Sequence, residues 1–121
     1  MVLSTYFKNN LAAALANETY VTPSYLTVST SDTEPGSADT TISGEIGTRF
    51  NVGDGIRSNN EVEYNVTRLG SDVINSGGDS IKQIALTDTE TGGNFMASEV
   101  IAGITQTTSF ELDISVVVKF D

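Results

Sequence analysis

The chain has no cysteine, no histidine and no tryptophan. Without cysteine there is neither a disulfide framework nor a thiolate metal site. Without histidine it lacks the side chain most used for acid–base work near neutral pH, and the commonest transition-metal ligand. Cations are scarce as well: 6 Lys plus Arg stand against 16 Asp plus Glu, a formal net charge of −10. A field of that sign repels nucleic acid and anionic membrane surfaces, whose binding needs clustered Lys and Arg. It suits a well-solvated surface, and by analogy the acidic, lysine-poor surfaces of halophilic proteins. No stretch approaches the roughly 20 apolar residues of a membrane span. The start, Met1 to Tyr6, lacks the basic opening and apolar run of a secretory signal, so synthesis and assembly in a cytosol are expected.

What is present is one domain's worth of chain, 121 residues, large enough to bury a core of its own. Leu3, Phe7, Leu11 and Leu15 recur at helical spacing among the helix-forming Ala12, Ala13, Ala14 and Ala16, which predicts a short amphipathic helix within residues 1–18. Ser4 or Thr5 can cap its start and Asn17 its end. So short a helix needs a partner for its stripe, either its own sheet or a neighbouring subunit.

From residue 20 onward the pattern turns to β structure. Tyr25 to Thr30 is rich in β-branched and aromatic residues, and turn formers follow from Ser31 to Asp39. Thr41 to Phe50 reads equally as a turn of helix or an irregular strand. The segments 51–55 and 58–60 read as loops, and 75–79 as a turn. Glu61 to Arg68 alternates, with Val62, Tyr64 and Val66 on one face. Ile81 to Thr87 and Asn94 to Ile101 flank a hairpin signal carried by Gly92 and Gly93. The closing segment is the clearest: Phe110, Leu112, Ile114, Val116, Val118 and Phe120 fall on one face, Glu111, Asp113, Ser115 and Lys119 on the other. The expected fold is mainly β, an antiparallel β-sandwich or jelly-roll-like barrel with a short N-terminal α-helix. It forms a single domain over 1–121, with the helix in 1–18 and the sandwich in 20–121.

Few residues carry a chemical signal. Glu61 with Glu63, and Glu111 with Asp113, sit two apart on one strand face; such pairs serve glycosidases, but a solvated acidic face has the same pattern. Asp32, Glu34 and Asp39, or Asp88 and Glu90, are oxygen donors of the kind Ca²⁺ prefers. They lack the EF-hand spacing, and turn acids ordinarily cap backbone amides. Neither Gly53-Asp54-Gly55 nor Gly92-Gly93 fits a phosphate-binding loop. Asn17-Glu18-Thr19 and Asn65-Val66-Thr67 match the glycosylation sequon, a pattern common by chance. No catalytic, cofactor-binding or metal-ligating residue is assigned, no cofactor is expected, and the chain reads as non-enzymatic.

The C-terminal part resembles small structural proteins of tailed viruses of bacteria and archaea. An I-x-x-I-A-L strand (Ile81, Ile84, Ala85, Leu86) leads to an acidic hairpin with Gly92 and Gly93. Phe95 and Ala97 follow, and then a closing segment with Thr107, Ser109, Phe110 and Leu112. In the N-terminal part Thr41, Ile42 and Glu45, with Arg49 following, match more loosely. Ser29-Thr30-Ser31 stands where the family commonly has Gly-x-Gly. The resemblance implies a virion component, associated with the tail, baseplate or a fibre, or else a capsid decoration (turret or cement) protein. Its expected partners are copies of itself and other virion proteins, with neither nucleic acid nor membrane. Val117, apolar on the polar face of the closing strand, marks a contact surface or a single exposed valine. A different class of function is a carbohydrate-binding module for a host-surface glycan, with Tyr20 and Tyr25 as candidates; tyrosines also pack well on sheets. A small hydrolase using the paired acids is the third.

Overall fold

The computed structural model describes residues 1–68, 80–105 and 112–120. Among these described residues eight strands and one helix follow in the order β1 (Val2–Leu3), α1 (Thr5–Leu15), β2 (Tyr25–Ser29), β3 (Glu45–Asn51), β4 (Ile56–Ser58), β5 (Glu61–Arg68), β6 (Ile81–Thr87), β7 (Phe95–Ile104) and β8 (Leu112–Lys119). They form two sheets, one ordered β1-β7-β6-β2-β3 and the other β4-β5-β8. All pairings among them are antiparallel. Among the described residues no strand is shared between the sheets, so of the two expected architectures the sandwich is the one formed.

The three-stranded sheet follows the alternation in the sequence. Tyr64 and Val66 of β5 and Ile114, Val116 and Val118 of β8 join the buried core, and the half-buried Val62 packs against it. Cross-strand partners share a face, so Glu61, Glu63, Asn65 and Thr67 stand outside with Asp113, Ser115, Val117 and Lys119. Leu26, Val28, Phe50, Leu86 and Ala97 supply the facing layer from the larger sheet. Each fully buried aliphatic here contributes about 1.5–3 kcal/mol relative to exposure.

The helix starts later than the leucine stripe suggests. Ser4 is its N-cap, its hydroxyl accepting from the Phe7 N–H at 3.1 Å, and its own N–H donates to the Met96 carbonyl at 2.9 Å. Leu3 therefore lies outside the helix, paired with Ala97 in β1. At the other end Asn17 takes a positive φ of 57°. The Glu18 N–H donates to the Ala13 carbonyl and the Asn17 N–H to that of Ala14, a Schellman ending with Asn in the left-handed position. Phe7 is buried in the core, with Tyr6 and Leu11 packed against it, whereas Leu15 is 89% exposed.

Two features go beyond the sequence reading. Ile56–Ser58, between the predicted loops, is a short strand on β5. The second face of the large sheet is polar yet buried: Thr27, Ser29, Gln83, Thr87 and Ser98 are all nearly inaccessible. Several contacts of the connection 30–44 reach this region. The Gln83 amide donates to the Thr33 carbonyl at 3.0 Å and the Ser29 hydroxyl to that of Ser43. The Phe95 N–H donates to the Thr40 carbonyl at 2.8 Å. Hydrogen bonding is what makes burial of such groups tolerable, although the Gln83 Oε1 and the Ser98 hydroxyl are buried without a hydrogen-bond partner among the described residues. The predicted turn 75–79 lies outside the described residues.

Candidate functional site

The paired carboxylates come first. Glu61 and Glu63 stand on the outer face of β5, opposite Lys119 and Val117 of β8. Glu63 accepts a hydrogen bond from Ser115 at 3.3 Å. Asp113 lies opposite Thr67, at the other end of the strand pair. Six residues separate that position from Glu61 along β5, about 20 Å, so Asp113 does not join the Glu61–Glu63 pair. Glu111 lies outside the described residues.

The loop acids act within their own turns. The Asp39 carboxylate accepts from the Gly36 N–H at 2.8 Å, and that of Asp88 from the Asn94 N–H at 2.7 Å. Asp32, Glu34 and Glu90 are exposed. Among the described residues no three acids are grouped to hold a metal ion. Of the sequon residues, Asn17 ends the helix and Asn65 lies on the outer sheet face, bonded to Ser115.

Among the described residues Arg49 has a highly connected polar side chain, with four hydrogen bonds. Along β3, Gly47, Thr48 and Arg49 together stand opposite the single Thr27, a bulge made possible by Gly47 at φ 67°. Four residues along an unbroken strand span about 13 Å. The bulge instead brings the Arg49 Nε within 2.7 Å of a Glu45 carboxylate oxygen, with a second guanidinium nitrogen 3.1 Å from the other. The remaining guanidinium nitrogen donates to the carbonyls of Thr89 and Gly92 at 2.8 and 2.7 Å. One cation thus ties the edge of β3 to the β6–β7 hairpin. Glu45 also accepts from the Thr27 hydroxyl. Chiefly through the Arg49 hydrogen bond, its carboxyl is held below the ordinary value. Sequence reasoning met Glu45 and Arg49 only as parts of a resemblance; their contact has no local signal, because it depends on the bulge.

Two apolar hollows complete the surface. One, about 410 Å³ and open, runs between the ends of β6 and β7 and the N-terminal half of β8, lined by Ile81, Ile84, Ile101, Ile104, Leu112 and Ile114. The other, about 180 Å³, lies between α1 and the β5–β8 sheet, with Tyr20 on its wall. Tyr20 is 52% exposed. Tyr25 is half-buried on the other sheet, opposite Thr87 and Asn51.

Residues 2–115 match the family model described as podophage GP4 fiber I protein gp80. The chain belongs to this family. No curated protein and no solved structure shows a significant match. Membership makes the chain a phage fibre protein, a component of the virion, from a family of structural proteins. Several of the residues that carried the resemblance lie on paired strands. Ile81, Ile84, Ala85 and Leu86 lie on β6, Phe95 and Ala97 on β7, and Leu112 opens β8. Gly92 and Gly93 form the hairpin pinned by Arg49; Thr107, Ser109 and Phe110 lie outside the described residues.

Proposed function

We propose that this chain is a non-enzymatic building block of a tailed-phage fibre, held in the virion by lasting contacts with copies of itself and with neighbouring fibre or tail proteins. The observation that carries the reading is the family match over residues 2–115. The arrangement of side chains agrees with it. The acids of β5 and β8 stand on an open sheet face, those of Asp39 and Asp88 hold turns, and Arg49 serves as a tie within the fold. Assembly takes place in the host cytoplasm before release of the virion.

Immunogold electron microscopy tests this placement, using antibodies raised against the purified chain on intact virions. Gold on the fibres is the expected result. Labelling confined to the head surface would replace the fibre with capsid decoration, and unlabelled virions would refute a structural role.

A further inference from the structure

We propose that two copies of this chain join along β8, antiparallel and about a two-fold axis at Val116, so that the β4-β5-β8 sheets of the two copies become one continuous sheet. The proposal adds to the fibre reading the surface through which copies meet, and it is tested separately. Gold away from the fibres would sink the placement and leave the pairing standing.

An unpaired sheet edge exposes a row of N–H and C=O groups ready to pair with another chain, and proteins usually blunt it. Three of the four edges among the described strands are blunted. β3 is broken by its bulge at Gly47, β4 has only three residues, and β1 only two. β8 is different. Its eight residues run without a bulge, in unbroken register with β5 from Leu112 opposite Arg68 to Lys119 opposite Glu61. The apolar hollow of about 410 Å³ borders its first half, and Ile104 on the hollow's far wall is 40% exposed.

The side chains then select the partner and the register. In an antiparallel pair, directly opposed residues share a face, so only a two-fold axis through a residue keeps the apolar face of both strands inward. With the axis at Val116, Ile114 meets the partner's Val118 on the inner face. On the outer face Ser115 meets the partner's Val117, and Asp113 meets the partner's Lys119. Because the contact is isologous, the Asp–Lys pair forms twice. Lys119 already has an interaction within its own chain and stands opposite Glu61; in the pair it would lie between two carboxylates. An axis at Ser115 would set Asp113 against Val117, and one at Val117 would set Lys119 against Ser115. Neither makes these Asp113–Lys119 pairs. Val117, 41% exposed on its own, gains a neighbour across the junction. Main-chain hydrogen bonds supply affinity in such strand addition, and side chains supply register.

The test uses the full chain in size-exclusion chromatography with light scattering and in sedimentation equilibrium, at about physiological salt. The wild type is expected to dimerise with rising concentration. Asp113→Lys and Lys119→Asp each place like charges in opposition twice, and each should weaken self-association roughly ten- to a hundredfold. Overall charge predicts the opposite for Asp113→Lys, which moves each copy from −10 to −8 because one acid becomes a base. An equimolar mixture of the two variants restores opposite charges at both positions and should form a heterodimer at wild-type concentrations, which also shows that both variants fold. A wild type that stays monomeric at every concentration overturns the proposal. So do variants that dimerise as well as the wild type, and so does a mixture that fails to pair.

Discussion

Replacing Arg49 by alanine removes four hydrogen bonds at once: two to the Glu45 carboxylate and one each to the Thr89 and Gly92 carbonyls. A hydrogen bond to a charged group is worth about 1.5–3 kcal/mol when its partner is left unpaired and buried. Here the Arg49 side chain is 10% exposed and that of Glu45 29%, so water can reach the carboxylate and the hairpin carbonyls, and the full figure does not apply. A net loss of about 2–3 kcal/mol is expected. For a chain of this length, with an unfolding entropy of about 2.1 cal/mol/K per residue, that lowers Tm by about 10 °C. Arg49→Lys should recover less than half, because an ammonium cannot reproduce the fork that serves a carboxylate and two carbonyls together. The pH dependence has a definite sign. The Glu45 carboxyl is depressed below its ordinary 4.5 in the folded chain. Its contribution is therefore fully present above that value and is lost as pH falls through the lowered one. The gap in Tm between wild type and Arg49→Ala should stay constant from pH 7 to about 5 and narrow below 4.5. Thermal melts by circular dichroism at several pH values, with Glu45→Gln completing a double-mutant cycle, measure all of this. A Tm change under 2 °C, or fully additive effects of the two substitutions, would refute the reasoning.

The β6–β7 hairpin offers a contrast between adjacent glycines. Both have positive φ, but a Cβ on Gly92 meets open space while one on Gly93 falls 2.3 Å from the Thr89 hydroxyl and 2.4 Å from an Asp88 carboxylate oxygen. Gly92→Ala should cost about 1 kcal/mol from the left-handed backbone alone. Gly93→Ala should cost clearly more, read as the difference in urea midpoints. Phe7→Ala empties a position that is 4% exposed in the core and should cost about 3–5 kcal/mol. Hydrogen exchange of that variant should show protection lost first in α1 and β1, and uniform loss across both sheets would contradict local anchoring. With a net charge of −10, self-repulsion is screened as the Debye length falls from about 10 Å at 0.1 M salt to 3 Å at 1 M. Tm should therefore rise by several degrees over that range, and a falling Tm would show that attractive ion pairs dominate.

The elements legible in the sequence are those whose signal is local. The period-two apolar faces of β5 and β8 match their buried positions, since Val62 to Val66 and Ile114 to Val118 each carry their inward face in their own spacing. The Gly92-Gly93 hairpin and the Asn17 helix ending are equally local, because a positive φ restricts which residues can occupy the position. Other elements had no such signal. Leu3 fits the helical stripe by spacing alone, yet the Ser4 cap starts the helix after it and the edge of β7 takes it as strand. Ile56–Ser58 is too short to show a period and is a strand only because β5 lies beside it. Thr27, Ser29 and Gln83 are polar residues within predicted strands. They are buried with hydrogen bonds to Glu45, Ser43 and Thr33, contacts their own segments do not reveal.

For this fibre protein, composition and alternation determined by themselves that the chain is acidic, mainly β, closed by an alternating strand, and without the cysteine or histidine on which much site chemistry depends. Those properties depend on each residue's identity and its nearest neighbours along the chain. Only the tertiary structure decided that Arg49 bonds to Glu45 and the distant hairpin, that a polar sheet face is buried, and that β8 forms a long, regular edge among the described strands. These are relations between segments dozens of residues apart, set by which strands pair and where a bulge falls, and side-chain spacing within one segment does not encode them.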